Sequence, residues 1–469
     1  MSFDNGNKST SIIARVQISF HHELLPPEIW MNIIECCPKA SQRRCLSLSR
    51  AFHDRTIPVL FRKIIICFGA WELWVADRRG DEDAKEKPVG ELDKTRSMRS
   101  YHLLRRIMRD ASFATAVKTV EVEAYMRDEC ESVFENLRPC LSSRIYSFVT
   151  LPFHKFKGLQ HLGNWTNVAI LDPLLDDYQN VNMDEETFPK LRGLHVFFTA
   201  PTNMRSALGS FLQRITQLSL QFLRGLKGLE VLLQSLPHVQ SLTLHALNEA
   251  QAEELFVAFE HGPFNLPSLT QLKICSGDYE DTLTVLLESE VVLLAGVVRG
   301  IPALQRFDCS FYIAPANLGI LFSAISSLKR LHVLGLHVDM LNPTERCLGE
   351  VIRRIPTELD ALALSLSGVT LVKPELAELF TRCQHLSHFY LHIEIEDDNE
   401  VDVTPLDIAQ MGKFLRLVGL LGAFHSVKRE DGTLILSERW SYRKITFREI
   451  DECSSPEWKW LMGDRTFEF

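Results

Sequence analysis

A short apolar template, L-x-x-L-x-L, keeps returning along this chain, and no other feature of the sequence restricts the fold as much. It reads as Val117-Val120-Val122, Trp165-Val168-Ile170, Leu191-Leu194-Val196, Ile215-Leu218-Leu220, Val239-Leu242-Leu244, Leu269-Leu272-Ile274, Leu304-Phe307-Cys309, Leu331-Leu334-Leu336, Leu359-Leu362-Leu364 and Leu386-Phe389-Leu391. From Leu191 onward the first positions stand 24, 24, 30, 35, 27, 28 and 27 residues apart. The last two template positions are two residues apart, so on an extended strand they share one face. Helical runs such as "EAQAEELFVAFE" and "PELAELFTRC" lie between the templates. A strand followed by a helix, repeated, gives parallel strands on one side and helices on the other. The expectation is an α/β chain whose units stack into a curved solenoid over residues 117–425, with a parallel concave sheet and outer helices.

Alternation along each strand sends the residues between and after the template positions to the concave side. These include His195, Phe197, Gln217, Ser219, Gln221, Thr243, His245, Lys273, Arg306, Asp308, His337, His388, Tyr390 and His392. A wall of mixed polar and aromatic groups suits recognition of a protein better than chemistry on a small molecule. The substrate-binding set expected from this pattern is His195, Phe197, Gln217, Gln221, His245, Lys273, Arg306, Asp308, His337, His388, Tyr390 and His392.

The N-terminal stretch "LPPEIWMNIIECCPKASQRRCLSLSRAFHDRTIPVLF", residues 25–61, follows a different grammar. Pro26 and Pro27 suit the first turn of a helix, and Glu28 suits the positive end of its dipole. Ile29, Ile33 and Cys37 then recur at i, i+4 and i+8, beside a second row of Trp30 and Ile34. Pro38 ends that helix. Ser41 is placed to cap a second segment on which Cys45, Leu48 and Phe52 share a face, and Pro58 breaks the helix before the β-rich run in "TIPVLFRKIIICF". Some 40 residues are too few to bury so much apolar surface alone, so these helices are expected to lean on a partner, or else to cap the repeats.

In order and spacing this stretch resembles an F-box: Leu25, Pro26, Glu28, Ile29, Ile33, Leu46, Ser49, Arg50 and Phe52 match its pattern, and "IPVLFRKI" resembles its continuation in fungal F-box proteins. The junction Cys36-Cys37-Pro38 departs from the usual one. The templates resemble the divergent leucine-rich repeats that F-box proteins carry, although the asparagine ladder is mostly missing. The resemblance implies a docking site for the Skp-type adaptor of a cullin-RING ubiquitin ligase, with Leu25, Pro26, Ile29, Ile33 and Phe52 as candidates for that interface or its immediate support. The solenoid would then hold a protein substrate, in the cytoplasm or nucleus. A scaffold that holds a partner without marking it for degradation is the alternative.

Domain limits follow: a disordered tail at 1–21, the F-box at 22–66, a linker at 67–116 with a charged loop at 77–100, the solenoid, and a cap at 426–469. In the cap, "MGKFLRLVGLLGAFHSVKRED" reads as a helix, Asp431-Gly432 as a turn before a strand pair, and Trp458, Trp460 and Phe467 as a cover for the open end of the solenoid. A net charge of -9 offers no basic field for nucleic acid. The most apolar run, "LTVLLESEVVLLAGVV", is broken by Glu288 and Glu290, so no membrane span is expected, and the N-terminus lacks the apolar core of a signal peptide. Eleven cysteines contain no C-x-x-C pair and are read as reduced thiols. Cys383, His385, His388 and His392 resemble a loose ligand set, but histidines at variable strand positions need no metal, so neither metal nor cofactor is expected. No phosphate loop, G-x-S-x-G elbow or H-E-x-x-H helix is present, so a non-catalytic receptor is expected rather than an enzyme.

Overall fold

The computed structural model describes residues 26–69, 98–99, 102–103, 105–107, 109–125, 161–166, 192–198, 209–222, 225–246, 249–261, 266–276, 285–339, 348–368, 373–394, 403–430, 432–440 and 455–462. The expected tail at 1–21, Leu25, Phe467 and all but residues 98–99 of the charged loop lie outside them. The chain forms two compact units, Met1–Leu60 and Phe61–Phe469.

In the first unit, helix α1 spans Pro27–Cys36, α2 Lys39–Cys45 and α3 Arg50–Leu60. Pro26 holds the extended N-cap position of α1, and Cys37 ends it in an extended conformation immediately before Pro38. Pro38 caps α2, a role expected of Ser41. The single second helix expected from Ser41 to Phe52 is two helices instead. Ser49 divides them, its hydroxyl accepting the Phe52 amide at 3.2 Å as an N-cap does. Pro58, expected to break the helix, lies inside α3; its missing N–H removes one i→i−4 bond, and the helix ends two residues later at Leu60. Gln42, buried, donates to the Cys37 carbonyl at 2.9 Å and fixes the α1–α2 corner.

In the second unit, fifteen strands among the described residues form an open sheet, parallel from the first strand to the thirteenth. They are β1 Lys63–Gly69, β2 Thr119–Tyr125, β3 His161–Thr166, β4 Gly193–Phe198, β5 Gln217–Phe222, β6 Ser241–Ala246, β7 Gln271–Ser276 and the short β8 Val285–Leu286. There follow β9 Arg306–Ile313, β10 Val333–Asp339, β11 Ala361–Ser367, β12 His388–Glu394, β13 Leu417–Leu420, β14 Ala423–Glu430 and β15 Thr433–Leu436. Strands neighbour each other in chain order, except that β8 pairs with β9 alongside β7. Helices connect them: α4 Ala111–Ala116, α5 Leu229–Leu233, α6 Glu249–His261, α7 Glu288–Arg299, α8 Pro315–Ile325, α9 Leu348–Arg354, α10 Lys373–Arg382 and α11 Pro405–Met411. A last helix, α12, spans Pro456–Leu461. The coarse expectation, a mixed α/β chain on a mostly parallel sheet, is what the structure has.

Template positions make the core between sheet and helices. Leu272, Ile274, Phe307, Leu334, Leu362 and Phe389 are fully buried there. Helix α7 answers with Val291, Leu294, Ala295 and Val298, spaced i, i+3, i+4 and i+7. Successive units are also stitched by backbone: the amide of the residue just before each strand donates to the carbonyl of its counterpart one unit earlier. This runs Thr216 to Arg192, Gln240 to Thr216, Thr270 to Gln240, Gln305 to Thr270 and on to Arg416 to Ser387, at 2.7–2.9 Å.

The repeats start earlier and end later than expected. β1 pairs in register with β2, Ile64 opposite Val120 and Ile66 opposite Val122, so the expected F-box boundary at 66 cuts through a strand of the sheet. β3 lies at His161–Thr166, not at the template expected from Trp165 to Ile170, and Leu162 stands opposite both Val120 and Leu194. The stretch expected to be one helix from Met411 is strand β13, a tight turn and strand β14, so the boundary expected at 425 falls inside β14. Leu415, Val418 and Leu420, all buried, repeat the template once more. Gly412 and Gly419 disfavour a helix there, and the Leu421-Gly422 turn, φ 47° and 74°, reverses the chain as a two-residue hairpin loop requires. Gly432, φ 80°, stands between the paired strands β14 and β15, and Asp431 of the expected turn lies outside the described residues.

Candidate interaction surfaces

Two surfaces carry the residues singled out by sequence. On the first unit, the two rows of α1 separate. Ile34 is buried, and Trp30 packs edge-on against buried Phe52, ring centroids 5.1 Å apart. Ile29 and Ile33, one turn apart, are 43% and 42% exposed, with Pro26 exposed beside them. Leu48, between α2 and α3, is 65% exposed. Phe52 is therefore buried against Trp30 and does not itself face outward, which leaves it a supporting place behind the exposed row. Thr56 donates to the Phe52 carbonyl at 2.6 Å and steadies that support.

On the sheet, the face turned away from the connecting helices brings the expected residues into register. One row runs through Gln217, Ser241, Gln271, Arg306, Val333, Ala361, His388 and Leu417. The next runs through His195, Ser219, Thr243, Lys273, Asp308, Gly335, Ala363, Tyr390 and Gly419. A third joins Phe197, Gln221, His245 and Cys275, and resumes past an irregularity in β9 as Tyr312, His337, Ser365 and His392. The side chains of His195, Phe197 and Gln221 lie outside the described ones.

The expectation of an open wall fails over the middle of this face, because the chain covers it with its own helix α12. Trp458 stacks on the His388 imidazole, centroids 5.9 Å apart and planes 21° from parallel, and meets Phe424 edge-on at 5.9 Å. Trp458, Leu461 and Met462 join Val333, Ala361, Ala363, Tyr390, Leu417, Phe424 and Trp440 in one apolar cluster. Trp458 and Trp460 thus lie on the face of the sheet and do not close its end. Lys273, 1% exposed, donates to the Trp460 and Leu461 carbonyls at 2.7 and 3.2 Å. Its ammonium also lies 3.7 Å from the buried Asp308 carboxylate and 4.9 Å from the Trp460 ring centre. The last carbonyls of a helix have no partner within it and sit at its negative end, so a cation is well placed there. At the other end of α12, Ser455 caps the Trp458 amide, and Glu457 takes a hydrogen bond from Arg306 at 3.1 Å.

Electrostatics follow the cover. Burial pushes His388 down to about 4, against the pull of nearby Glu457, with Arg416 adding to the depression. Burial would raise the Glu457 carboxyl, but the hydrogen bond from Ser455, its own backbone amide and the positive charge of Arg306 outweigh it and hold it below the usual carboxylate range. Half-buried His245, His337, Asp339 and His392 and exposed Gln217 remain at the margins of the covered zone. Ser219 and His245 are hydrogen-bonded at 3.3 Å, and Ser367 donates to Asp339 at 2.7 Å.

The loose ligand set does not come together. Cys383 is buried, its thiol pushed up to about 11 by burial and bonded to the Pro356 carbonyl, while His385 is exposed beside Glu358 and His388 lies under Trp458. Among the described residues no three His, Cys, Asp or Glu side chains gather as for a metal ion, and no helix is long and apolar enough to cross a membrane.

No family model matches the chain, and no curated protein does. Among solved structures, the chain is similar to a Bacteroides fragilis protein at 12% identity and a TM-score of 0.25, over 63% of this chain and 70% of that one.

Proposed function

We propose that this chain is a substrate-receptor subunit of a Skp-cullin-F-box type ubiquitin ligase. The N-terminal helices dock on the Skp-type adaptor, and the repeats, stacked as a solenoid of the leucine-rich type, hold a protein substrate. The observation that carries the reading is the pair Ile29 and Ile33: two β-branched apolar residues one turn apart on α1, both more than two-fifths exposed, in a stretch with F-box order and spacing. Exposed Leu48 supports it. The chain itself supplies proximity, raising the concentration of substrate near the conjugating enzyme, and the chemistry belongs to its partners.

Co-expression with a Skp-type adaptor tests this. Stoichiometric copurification is expected, and Ile29→Asp with Ile33→Asp should abolish it while leaving thermal unfolding unchanged. Copurification that survives both substitutions overturns the reading. Shortened lifetimes of bound proteins, lost on deletion of residues 1–60, would separate a receptor from a scaffold.

A further inference from the structure

The face covered by α12 is an unusual place to bury a helix permanently. A sheet face that is always covered is ordinarily apolar, because burying a charge carries a desolvation cost that its partner only partly returns. Here the covered zone holds Lys273 and Asp308, both 98% buried or more, His388 at 4% exposure and Arg306 beneath Glu457. Each of these regains water if α12 leaves, which offsets part of the cost of exposing Trp458, Leu461 and Met462. The helix itself has six residues, well short of the ~12–15 that hold together alone in water. Beyond its own cap at Ser455, its helical form therefore depends on the face, through the Arg306–Glu457 pair and the Lys273 bonds to its last carbonyls.

From this we infer that α12 is a ligand carried by the chain itself, and that the protein partner recognised on this face competes with it by presenting the same chemistry in a short helical segment. Three features define that segment: a carboxylate in its first turn for Arg306, a flat aromatic side chain one position later to stack on His388, and free C-terminal carbonyls for Lys273. The inference rests on the reading of this face as the recognition surface, and it adds the class of partner and the device that keeps the face closed without one.

The test uses the full chain and a fluorescein-labelled synthetic peptide of residues 455–462, "SPEWKWLM". Trp458→Ala with Leu461→Ala loosens the helix in the intact protein. The doubly substituted chain should bind the labelled peptide at least tenfold more tightly than the unaltered chain, and adding Arg306→Ala should remove that gain. A folded double variant that binds the peptide no better than the unaltered chain overturns the inference. Hydrogen exchange on the unaltered chain gives a second measure that needs no variant. Amides of 457–462 should exchange well before those of β10 and β11, and protection equal to those strands overturns the inference as well. Neither result bears on adaptor copurification, so failure here is distinguishable from failure of the receptor reading.

Discussion

Under helix α12 the sheet is buried on both faces, but by opposite means. Toward the connecting helices, Leu272, Phe307 and Leu334 are apolar, local in origin and covered by helices that follow or precede them within one unit. Away from the helices, Lys273 and Asp308 are charged, and their cover is a helix 187 residues further along the chain. Polarity is thus a good guide to burial where neighbouring units do the covering, and a poor one where a distant segment does.

The sharpest way to break this comparison is to remove one charge. Lys273→Ala leaves Asp308 buried and the final carbonyls of α12 without their donor, so a loss of about 3–5 kcal/mol is expected, as large as that of a core Leu→Ala. Replacing both, Lys273→Met with Asp308→Leu, should recover most of it, as a denaturant midpoint would show. If Lys273→Ala proves neutral, the second face is not buried in the way described.

Acid probes the same face. His388, neutral and depressed to about 4 when folded, takes a proton near its ordinary value when unfolded, so its contribution is present at neutral pH and is lost as pH falls from ~6.5 toward 4. Between pH 7 and 5 this amounts to about 2 kcal/mol. Glu457, also depressed, acts in the same direction at lower pH, through its folded value. The His388→Gln chain should show a flatter stability profile between pH 7 and 5 in urea titrations, and an unchanged slope would mean the imidazole is not covered.

Gly419 sharpens the comparison on the apolar part of the face. A Cβ built there would lie 2.6 Å from the Phe424 ring and 2.7 Å from that of Tyr390, which stack on each other at 5.2 Å. Gly419→Ala is expected to cost about 1–3 kcal/mol by thermal unfolding, whereas the same change at Gly296, where the added atom meets nothing within 4 Å, should be neutral or stabilising. The smallest effect is expected at Leu421, whose positive φ suits asparagine better than leucine: Leu421→Asn should gain about 0.5 kcal/mol.

What could be read in advance divides along the same line. The template located most of the parallel strands because each of its positions fills a core made by adjacent units, so the signal is local. It missed β13, although Leu415, Val418 and Leu420 carry the same spacing, because the glycines and the run "LVGLLGAF" blur strand and helix periodicity. It does not reach β1, whose β-rich run "TIPVLFRKIIICF" follows directly on the N-terminal helices and is legible from composition and not as a repeat. In the first unit the pair Ile29 and Ile33 is legible from i, i+4 spacing, but spacing does not decide whether Phe52 faces outward or lends support from within, since the division of α2 from α3 depends on one capping hydroxyl, that of Ser49. Nothing in "SPEWKWLM" announces that it lies across β7 to β12. Its partners are set by the tertiary path of the chain, and a run of two tryptophans with an acid fits an end cap equally well.

The hairpin of β13, β14 and β15 sets the direction in which such a molecule can grow. Every earlier strand offers its free edge to a successor running the same way, but β14 turns back and occupies the edge of β13 antiparallel. The edge of β13 on which a further parallel strand would pair is thereby taken, so the parallel part of the sheet ends with β13.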